Sequence, residues 1–223
     1  MRTVLVTGSS QGIGKETVDI FLKNNFKVIG VDIQSIPKDL KKNSNYKHIK
    51  KNIKNCFNSI SRYDFNYIIH NAGIQEGKCI DVNLKDTIDL NEKLLKKNKN
   101  IKAITFNTSI SAIYGDEFPL YVASKAGLNG YVKNVAKRLM PNAISNAVCF
   151  GGVKTELNKP IIESKELWEK VIDINPLHKW MTAEEAAEWI YFVTVTNTFA
   201  TGQLFEIDGG ENSCPSSTFV WKD

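Results

Sequence analysis

The sequence predicts one doubly wound α/β domain, with a parallel sheet of about seven strands and helices on both of its faces. Short apolar runs recur along the chain without the polar alternation of a half-exposed strand, which is typical of strands buried on both faces of a parallel sheet. Stretches with helical periodicity separate these runs, as in right-handed βαβ units. No repeat or low-complexity linker divides the 223 residues, a length that suits a single domain over residues 1–223.

Strands and helices are expected to alternate along the chain. The predicted strands are Thr3–Val6, Lys27–Val31, Tyr46–Ile49, Tyr67–His70, Ala103–Asn107, Ala143–Cys149 and Leu204–Ile207. The predicted helices lie near Gly14–Asn24, Asp86–Lys97, Tyr121–Met140 and Ala183–Thr194. The one long irregular stretch, residues 153–180, precedes the last helix, and residues 211–223 form a C-terminal tail after the last strand.

Composition and charge exclude several classes of protein. With 42% apolar and 24% charged residues the chain is too apolar to be disordered, and no run of about 18 apolar residues predicts a membrane span. The net charge of +5 comes from scattered lysines and only three arginines, unlike the clustered arginines of a nucleic-acid-binding face. A strand begins almost at the first residue, so we expect no secretion signal and a cytoplasmic location. Four cysteines without a C-x-x-C pair suit a reducing compartment.

A glycine-rich segment, Thr7–Gly14, lies between the first strand and the first helix. Its glycines allow a sharp turn, close approach of a pyrophosphate, and close packing of helix on strand. The free N–H groups and partial positive charge at the start of the following helix favour a phosphate. Asp32 ends the second strand about 18 residues beyond Gly14, where dinucleotide sites hold the adenosine ribose. Together these features predict a dinucleotide site.

Asp32 favours NAD over NADP as the cofactor. Its carboxylate is expected to hydrogen-bond the ribose hydroxyls and to repel a 2′-phosphate. Gln11 and Ile33 offer no cation that pairs with that phosphate. The alternative interpretation is that Asp32 is an ordinary exposed aspartate in a turn.

Tyr121 and Lys125 open the longest predicted helix. Their spacing of four places them on one helix face, with the ammonium near the phenol. A cation there is expected to lower the phenol pKa from its ordinary value of roughly 10, so that Tyr121 acts as acid or base near pH 7. The same spacing joins Tyr46 and Lys50, but these lie in a predicted strand, where it does not produce this geometry.

Hydroxyl side chains end the fifth predicted strand. In an open α/β sheet the carboxyl ends of the strands line the ligand crevice, where a hydroxyl can hold a substrate carbonyl or alcohol. Spacing alone does not choose between Ser109 and Ser111. Serines without any such role also end strands commonly.

These motifs together resemble those of the classical short-chain dehydrogenase/reductase family, whose fold is a Rossmann domain. The likeness runs from Val4 to Gly210, nearly the whole chain. Its elements are the TGSSQGIG turn at 7–14, the Asn-Ala-Gly element at 71–73, the Tyr121 and Lys125 pair, the Asn-Pro-Leu segment at 175–177, and the Asp-Gly-Gly end of the last strand at 208–210.

The resemblance implies a role for each site residue. Tyr121 would be the general acid/base, Lys125 would lower its pKa and bind the nicotinamide ribose, and Ser109 would orient the reacting oxygen. Asn83 matches the asparagine that holds a water in the proton relay, and residues 153–180 would form a substrate lid. The cofactor would contact Gly8, Ser10, Gln11, Gly12, Ile13, Gly14, Asp32, Ile33, Asn52, Ile53, Asn71, Ala72, Gly73, Tyr121, Lys125, Gly151, Val153 and Thr155.

Departures from the family pattern bear on two of these assignments. Gly73 and Asn83 are only ten residues apart, so the element beside the cofactor is shortened. Asn52 stands where the family often has an adenine-contacting aspartate, and its side-chain oxygen can still accept a hydrogen bond from the adenine amine.

The function expected first is an NAD(H)-dependent oxidoreductase that interconverts a small-molecule alcohol and a ketone. One alternative is a 3-oxoacyl-thioester (acyl-carrier-protein) reductase, a role that commonly uses NADPH in the family; another is a nicotinamide-cofactor-binding sensor or scaffold without catalysis. The three histidines are not within metal-ligand spacing of each other or of cysteines, so no metal site is expected, and neither are nucleic-acid or membrane partners. Helices around 84–97 and 121–140 resemble those that pack between subunits in the family, which implies a homotetramer or homodimer.

Overall fold

Seven strands form one parallel sheet in the computed structural model, which describes residues 1–212 and 214. The strands in the described part of the chain are β1 (Thr3–Thr7), β2 (Lys27–Asp32), β3 (Tyr46–Lys50), β4 (Tyr67–His70), β5 (Ala103–Ser109), β6 (Ile144–Phe150), β7 (Val153–Lys154), β8 (Met181–Thr182) and β9 (Leu204–Ile207). The sheet has the order β3-β2-β1-β4-β5-β6-β9, while β7 and β8 pair separately. The predicted doubly wound, seven-stranded fold class is confirmed.

Helices and short helical turns connect the strands. The α-helices are α1 (Gly12–Lys23), α2 (Phe57–Ile60), α3 (Thr87–Lys97), α4 (Ser111–Tyr114), α5 (Pro119–Leu139), α6 (Lys159–Ile162), α7 (Lys165–Ile174) and α8 (Ala183–Tyr191). Two 3₁₀ turns cover Ile53–Asn55 and Glu156–Asn158, and two π-helical segments cover Ile80–Asp86 and Phe192–Thr196. Among the described residues, no helix is long and apolar enough to cross a bilayer.

The hydrophobic core has two parts because successive strand side chains point to opposite faces of the sheet. The part between the sheet and helices α3 and α5 includes Leu5, Ile29, Ile104, Leu94 and Val132. The part between the sheet and helices α1 and α8 includes Val4, Val6, Val28, Phe21 and Ile190. Both faces of the strands are therefore buried, which explains their continuous apolar runs.

The prediction of an irregular stretch over residues 153–180 is wrong. This segment contains β7, α6, α7 and the 3₁₀ turn between β7 and α6. Ser164 caps α7 by accepting a hydrogen bond from the backbone N–H of Leu167, at 3.4 Å. The mixed charges of the segment supply ion pairs at helical spacing, such as Glu166 with Lys170 at 2.7 Å, which stabilise an exposed helix.

The observed ends of the elements differ from the predicted ends by a few residues. Helix α5 begins at Pro119 rather than Tyr121, because proline is well suited to the first turn of a helix. The predicted helix Asp86–Lys97 is preceded by the π-helical segment Ile80–Asp86. Of the predicted tail 211–223, residue 213 and residues 215–223 lie outside the described residues.

Candidate active site

Hydrogen bonds between strand ends build the floor of the site. The Thr7 hydroxyl accepts from the backbone N–H groups of Asn71 and Ala72, at 3.0 and 3.1 Å. The Asn71 amide group donates to the backbone carbonyls of Thr7 and Gly8, and its oxygen accepts from the Asn107 amide group at 2.8 Å. The ends of β1, β4 and β5 are thereby held together, and the Asn-Ala-Gly element lies beside the glycine-rich loop.

The glycine-rich loop has the shape that a phosphate site requires. Gly12 has a φ of +50°, a conformation that favours glycine, and a side chain on Gly14 would collide with the Gly8 carbonyl oxygen. Gln11 makes no side-chain cap to α1, and the first turn of that helix contains no acidic residue. The Ser10 hydroxyl is buried with no hydrogen-bond partner among the described residues. An uncapped helix start beside an unpartnered hydroxyl suits a bound pyrophosphate, so these residues fit the expected cofactor.

Asp32 lies at the carboxyl end of β2, beside this loop. One carboxylate oxygen accepts from the backbone N–H of Ser10 at 2.9 Å, and the other accepts from the backbone N–H of Gln34 at 2.8 Å. The side chain is nearly buried, whereas the next residue, Ile33, is 65% exposed. Asp32 is therefore an organised part of the loop and not an ordinary exposed turn residue.

Asn52 and Ile53 follow β3, farther along the same edge. The Asn52 side-chain oxygen accepts from the backbone N–H of Lys54 at 2.9 Å and so caps the 3₁₀ turn Ile53–Asn55. Ile53 is buried, while Asn52 is exposed. The oxygen expected to face the adenine amine thus already holds one hydrogen bond, and any adenine contact would use its second lone pair.

Tyr121 and Lys125 lie on one face of α5, as their spacing predicted. The Lys125 ammonium is 5.7 Å from the centre of the Tyr121 ring and donates to the backbone carbonyl of Asn107 at 2.8 Å. The side chain is nearly buried, and burial lowers the pKa of Lys125 to about 8. The lysine is still mostly cationic at pH 7.

The phenol of Tyr121 is harder to ionise than the sequence suggested. Burial raises its pKa well above the ordinary value, the carboxylate of Glu117 raises it further, and a hydrogen bond with Ser109 opposes both effects. The expectation that Lys125 lowers the pKa of Tyr121 does not hold for the protein without a bound cofactor. The physical reason is that the ammonium is bonded to the Asn107 carbonyl, while the phenol is desolvated.

Both candidate serines belong to the site. The Ser109 hydroxyl donates to the Ser111 hydroxyl at 3.0 Å and accepts from the Ser111 backbone N–H at 3.2 Å. Ser109 ends β5 and is the one of the two serines that acts on the phenol of Tyr121, whose pKa it lowers. The geometry therefore favours Ser109 as the partner of the reacting oxygen and places Ser111 behind it.

Asn83 lies in the π-helical segment Ile80–Asp86 and is fully buried. Its oxygen accepts from the backbone N–H of Ile74 at 2.8 Å, and its amide group donates to the Ile74 carbonyl at 2.8 Å and the Ser124 hydroxyl at 3.0 Å. A side chain on Gly73 would lie 3.3 Å from both the Asn83 oxygen and the Lys125 nitrogen. Despite the shortened 74–82 segment, Asn83 is thus placed close to Lys125.

The turn after β6 faces the glycine-rich loop. A side chain on Gly12 would lie 3.2 Å from the methyl group of Thr155, so Thr155 borders the cofactor loop. Gly151 packs on the backbone of Asp208, and a side chain there would meet that backbone at 3.0 Å. Val153 is buried in β7. Of the three predicted nicotinamide-end residues, Thr155 therefore lies beside the glycine-rich loop, and Gly151 and Val153 precede it by four and two residues.

Glu117 is a site residue that the sequence analysis missed. It lies four residues before Tyr121, just before α5 begins, and its side chain is exposed at the edge of the site. Its carboxylate raises the pKa of Tyr121, while Ser111 and Lys125 lower the pKa of Glu117 itself. Its helical spacing from Tyr121 was the only sequence signal, and that signal was hidden because Glu117 lies outside the predicted helix.

The described part of the chain contains no group of three His, Cys, Asp or Glu side chains arranged to hold a metal ion. His70, at the end of β4, instead stacks on Phe106 with ring centres 4.8 Å apart and hydrogen-bonds the Asn91 oxygen at 3.0 Å. It fills a strand end, as its position in the sequence indicated.

Comparison with known proteins gives consistent sequence matches. Residues 8–212 match a family model described as enoyl-(acyl carrier protein) reductase. The 3-oxoacyl-[acyl-carrier-protein] reductase FabG of Rickettsia prowazekii is 30% identical, with 94% of this chain and 96% of that protein covered. The 3-oxoacyl-[acyl-carrier-protein] reductase of Synechocystis sp. is 29% identical over the same shares of the two chains.

Solved structures match the fold over nearly its full length. A 4-hydroxyisoleucine dehydrogenase complexed with NADH is 26% identical, with a TM-score of 0.88 and coverage of 96% of this chain and 99% of that one. A short chain dehydrogenase family protein from Francisella tularensis is 29% identical, with a TM-score of 0.86 and the same coverage.

Proposed function

This chain belongs to the short-chain dehydrogenase/reductase family, and on that premise we propose that it is an NAD(H)-dependent oxidoreductase that interconverts a small-molecule alcohol and a ketone. The family assignment makes it an oxidoreductase of CH–OH or keto groups with a nicotinamide cofactor. The observation that carries the finer proposal is the meeting of Tyr121, Lys125 and Ser109 at the end of β5, beside a loop that fits a pyrophosphate. A sensor or scaffold without catalysis has no need of this set.

In the proposed mechanism the chain's own groups position the substrate and move its proton. The bound nicotinamide supplies the hydride chemistry. Ser109 holds the reacting oxygen. The deprotonated oxygen of Tyr121 takes the hydroxyl proton during oxidation, and the protonated phenol gives a proton to the carbonyl oxygen during reduction. Lys125 would bind the nicotinamide ribose and keep a positive charge beside the phenol, and Asn83 would hold a water of the proton relay.

The proposed cofactor contacts are grouped by the part of the cofactor that each residue would hold. Ser10, Gln11, Ile13 and the loop glycines would hold the pyrophosphate, and Asp32 and Ile33 the adenosine ribose. Asn52 and Ile53 would border the adenine. Ala72 and Gly73 would line the ribose, and Gly151, Val153 and Thr155 the nicotinamide end. The preference for NAD rests on Asp32, whose carboxylate already anchors the loop and would face a 2′-phosphate with like charge.

A 3-oxoacyl-thioester reductase that uses NADPH is the second candidate. It is supported by relatives of about 30% identity that carry the name 3-oxoacyl-[acyl-carrier-protein] reductase and match 94% of the chain. Asp32 argues against it. For location, the buried unbridged thiols of Cys56, Cys79 and Cys149 support the cytoplasm as our proposal.

Fluorescence titration of the purified protein with NADH and, separately, with NADPH tests the cofactor proposal first. Tighter binding of NADH supports the alcohol dehydrogenase, and tighter binding of NADPH brings the thioester reductase forward. Binding of neither nucleotide would contradict both candidates.

Tyr121→Phe tests the catalytic proposal. Loss of the general acid/base is expected to lower turnover by about 10² to 10⁴ in an alcohol and ketone panel, while the NADH affinity changes little, because only the proton-carrying oxygen is removed. The control is Tyr131→Phe on the same helix, whose hydroxyl donates instead to Glu92 on α3. Turnover retained in Tyr121→Phe would exclude the proposed role.

A further inference from the structure

Three polar side chains on one face of β3 lie next to the loops that flank Asp32. Tyr46, His48 and Lys50 are alternate residues of this strand, so their side chains point to the same face of the sheet. The Tyr46 hydroxyl hydrogen-bonds the Ser9 hydroxyl, in the glycine-rich loop, at 3.3 Å. A phenol from β3 therefore contacts the loop that is expected to bind the pyrophosphate.

His48 joins this phenol to the loop that follows β2. Its Nδ1 atom is 3.2 Å from the Tyr46 hydroxyl, and its Nε2 atom is 3.0 Å from the backbone carbonyl oxygen of Gln34. A carbonyl oxygen only accepts hydrogen bonds, so Nε2 carries a hydrogen atom and donates it. Ser9, Tyr46, His48 and the Gln34 carbonyl thus form one hydrogen-bonded path between the two loops.

A glycine in β2 makes room for this path. Gly30 is paired with His48 in the strand register, and a side chain on Gly30 would collide with the hydroxyls of Tyr46 and Ser9. Both hydroxyl-bearing residues are buried, and burial raises the pKa of Tyr46 to about 12, so its phenol stays neutral. The two hydroxyls are therefore held against each other away from water.

The two ends of the path lie at the residues that hold the Asp32 carboxylate. That carboxylate accepts from the backbone N–H groups of Ser10 and Gln34, at 2.9 and 2.8 Å. Ser10 directly follows Ser9 in the chain, and Gln34 is the residue whose carbonyl accepts from His48. Each end of the path therefore restrains one of the two donors to Asp32.

Two exposed contacts restrain the loop after β2 as well. The Gln34 amide group donates to the side-chain oxygen of Gln11 at 2.9 Å, which is a second link to the glycine-rich loop. The Lys50 ammonium donates to the Ser35 hydroxyl at 3.1 Å, which is a second link to β3. Because water competes for these groups, we expect them to contribute less than the buried hydroxyl pair.

We propose that Tyr46 and His48 are positioning residues for the adenosine end of the cofactor, and that they act by holding Asp32 through Ser10 and Gln34. The proposal rests on the proposed binding of NAD(H), with its adenosine ribose at Asp32. A carboxylate that is fixed before the nucleotide arrives needs no further ordering when the nucleotide binds. Loss of the path should therefore weaken adenosine binding and leave the chemical step unchanged.

Tyr46→Phe tests the path at its centre, because it keeps the ring and removes the one hydroxyl that bonds both Ser9 and His48. The Kd values of AMP and NADH and the KM of NAD are each expected to rise about tenfold, while kcat changes little. The control is Tyr67→Phe, a similarly buried tyrosine in the same row of the sheet, which should change none of these values. Wild-type affinity for AMP in Tyr46→Phe would exclude the positioning role.

Two amide variants of His48 test its bond to the Gln34 carbonyl. Glutamine places its amide group near the position of Nε2 and can still donate to that carbonyl, whereas asparagine reaches only the position of Nδ1. His48→Gln should therefore keep the Kd of AMP within about threefold of the wild-type value, while His48→Asn should raise it about tenfold. Equal affinities for AMP in the two variants would overturn the role of His48.

Hydrogen exchange in the ligand-free protein keeps this proposal separable from the proposed function. The backbone N–H of Gln34 is bonded to Asp32, so its exchange rate reports how firmly the carboxylate is held. This rate should rise about tenfold in Tyr46→Phe and stay unchanged in Tyr67→Phe. An unchanged rate in Tyr46→Phe would overturn the proposal even in a protein that oxidises alcohols. A faster rate in a protein that binds no nucleotide would support the path and contradict only the proposed function.

Discussion

At the scale of single residues, Asp32 shows how one side chain combines structure and specificity. Both of its oxygens accept backbone hydrogen bonds, from Ser10 and Gln34, so the carboxylate is fixed in place before any nucleotide binds. A fixed charge discriminates more strongly against a 2′-phosphate than a mobile one, because it cannot turn away.

Asp32→Asn is predicted to weaken the preference for NADH. The amide oxygen can still accept from Ser10, but the charge that repels the 2′-phosphate is gone. The ratio of the Kd values for NADPH and NADH should fall about tenfold, which corresponds to about 1.4 kcal/mol. Fluorescence titration measures both constants. Asp173→Asn, on the exposed surface of α7, controls for net charge, and an unchanged ratio in Asp32→Asn would contradict the assignment.

Lys125 is predicted to make stability depend on pH in the alkaline range. Its pKa is about 8 in the folded chain, against about 10.5 when exposed, so between these values the unfolded chain binds more protons. The free energy of unfolding should therefore gain about 3 kcal/mol from this group as pH rises from about 8 to about 10.5.

Lys125→Met should remove that gain and be more stable than the wild type near pH 7, while losing activity. Urea unfolding of both proteins at several pH values isolates the contribution as a difference between them. Lys133→Met, exposed on the same helix, should keep the wild-type slope. If the free energy of unfolding rose equally with pH in the wild type and in Lys125→Met, the Lys125 ammonium would not be desolvated.

At the scale of elements, His70 joins β4 to α3. Its ring nitrogen bonds the Asn91 oxygen, and the Asn91 amide group donates to the Tyr131 hydroxyl at 2.9 Å, so a polar chain links β4, α3 and α5 beneath the site. Because these hydrogen bonds are buried, they are sensitive to the protonation of His70. The sequence indicated a strand-end histidine, but not these partners, which come from distant segments.

Acid is predicted to weaken this junction. Burial lowers the pKa of His70 to about 4, below the value of about 6.5 for an exposed histidine, so between these values the unfolded chain binds more protons. Stability should therefore fall by about 3 kcal/mol as pH drops from about 6.5 to about 4.

The free energy of unfolding of His70→Gln should fall less steeply than that of the wild type as the pH drops. This difference is expected even though glutamine packs less well than histidine on Phe106. His178→Asn is the control, because His178 is exposed and asparagine tolerates its φ of +48°. An equally steep acid limb in His70→Gln would assign the effect to other groups.

Helix α7 shows why one element was not predicted. Its charged residues form pairs at helical spacing, and its apolar residues are only partly buried, so the segment lacks the continuous buried stripe of a core helix. Trp168 packs edge-on against Trp180 at 5.4 Å, and this contact joins α7 to the segment before β8. The apolar residues Leu167, Trp168, Val171 and Ile172 nevertheless recur at helical spacing, so the sequence did contain a signal for this helix, and only the contact with Trp180 depends on the tertiary structure.

At the scale of the whole molecule, α5 carries small exposed residues, and we propose that a second copy of the chain packs there. Ala126 and Gly130 are exposed on it, and nothing lies within 4 Å of the place where a Gly130 side chain would begin. Small exposed residues allow close approach of another helix, in keeping with the homotetramer or homodimer implied by the family resemblance.

Gly130→Arg is predicted to yield a monomer in light scattering, whereas the wild type should show two or four times the 25.1 kDa of one chain. Arginine is a better helix former than glycine, so the folded monomer should not be destabilised. Gly130→Ala should keep the wild-type mass. A monomeric wild type at micromolar concentration would contradict the prediction, and an unchanged mass in Gly130→Arg would place the interface elsewhere.

The sequence by itself determined the fold class, the glycine-rich loop with Asp32, and the pairing of Tyr121 with Lys125. Each depends on spacing within one strand, turn or helix, or on apolar runs that only a doubly covered sheet explains. The tertiary structure alone decided that Ser109 hydrogen-bonds Ser111, that Glu117 acts on the phenol of Tyr121, and that the pKa of Tyr121 is raised. These properties depend on burial and on distances between the end of β5, the loop after α4 and the start of α5, and a linear spacing does not specify such distances.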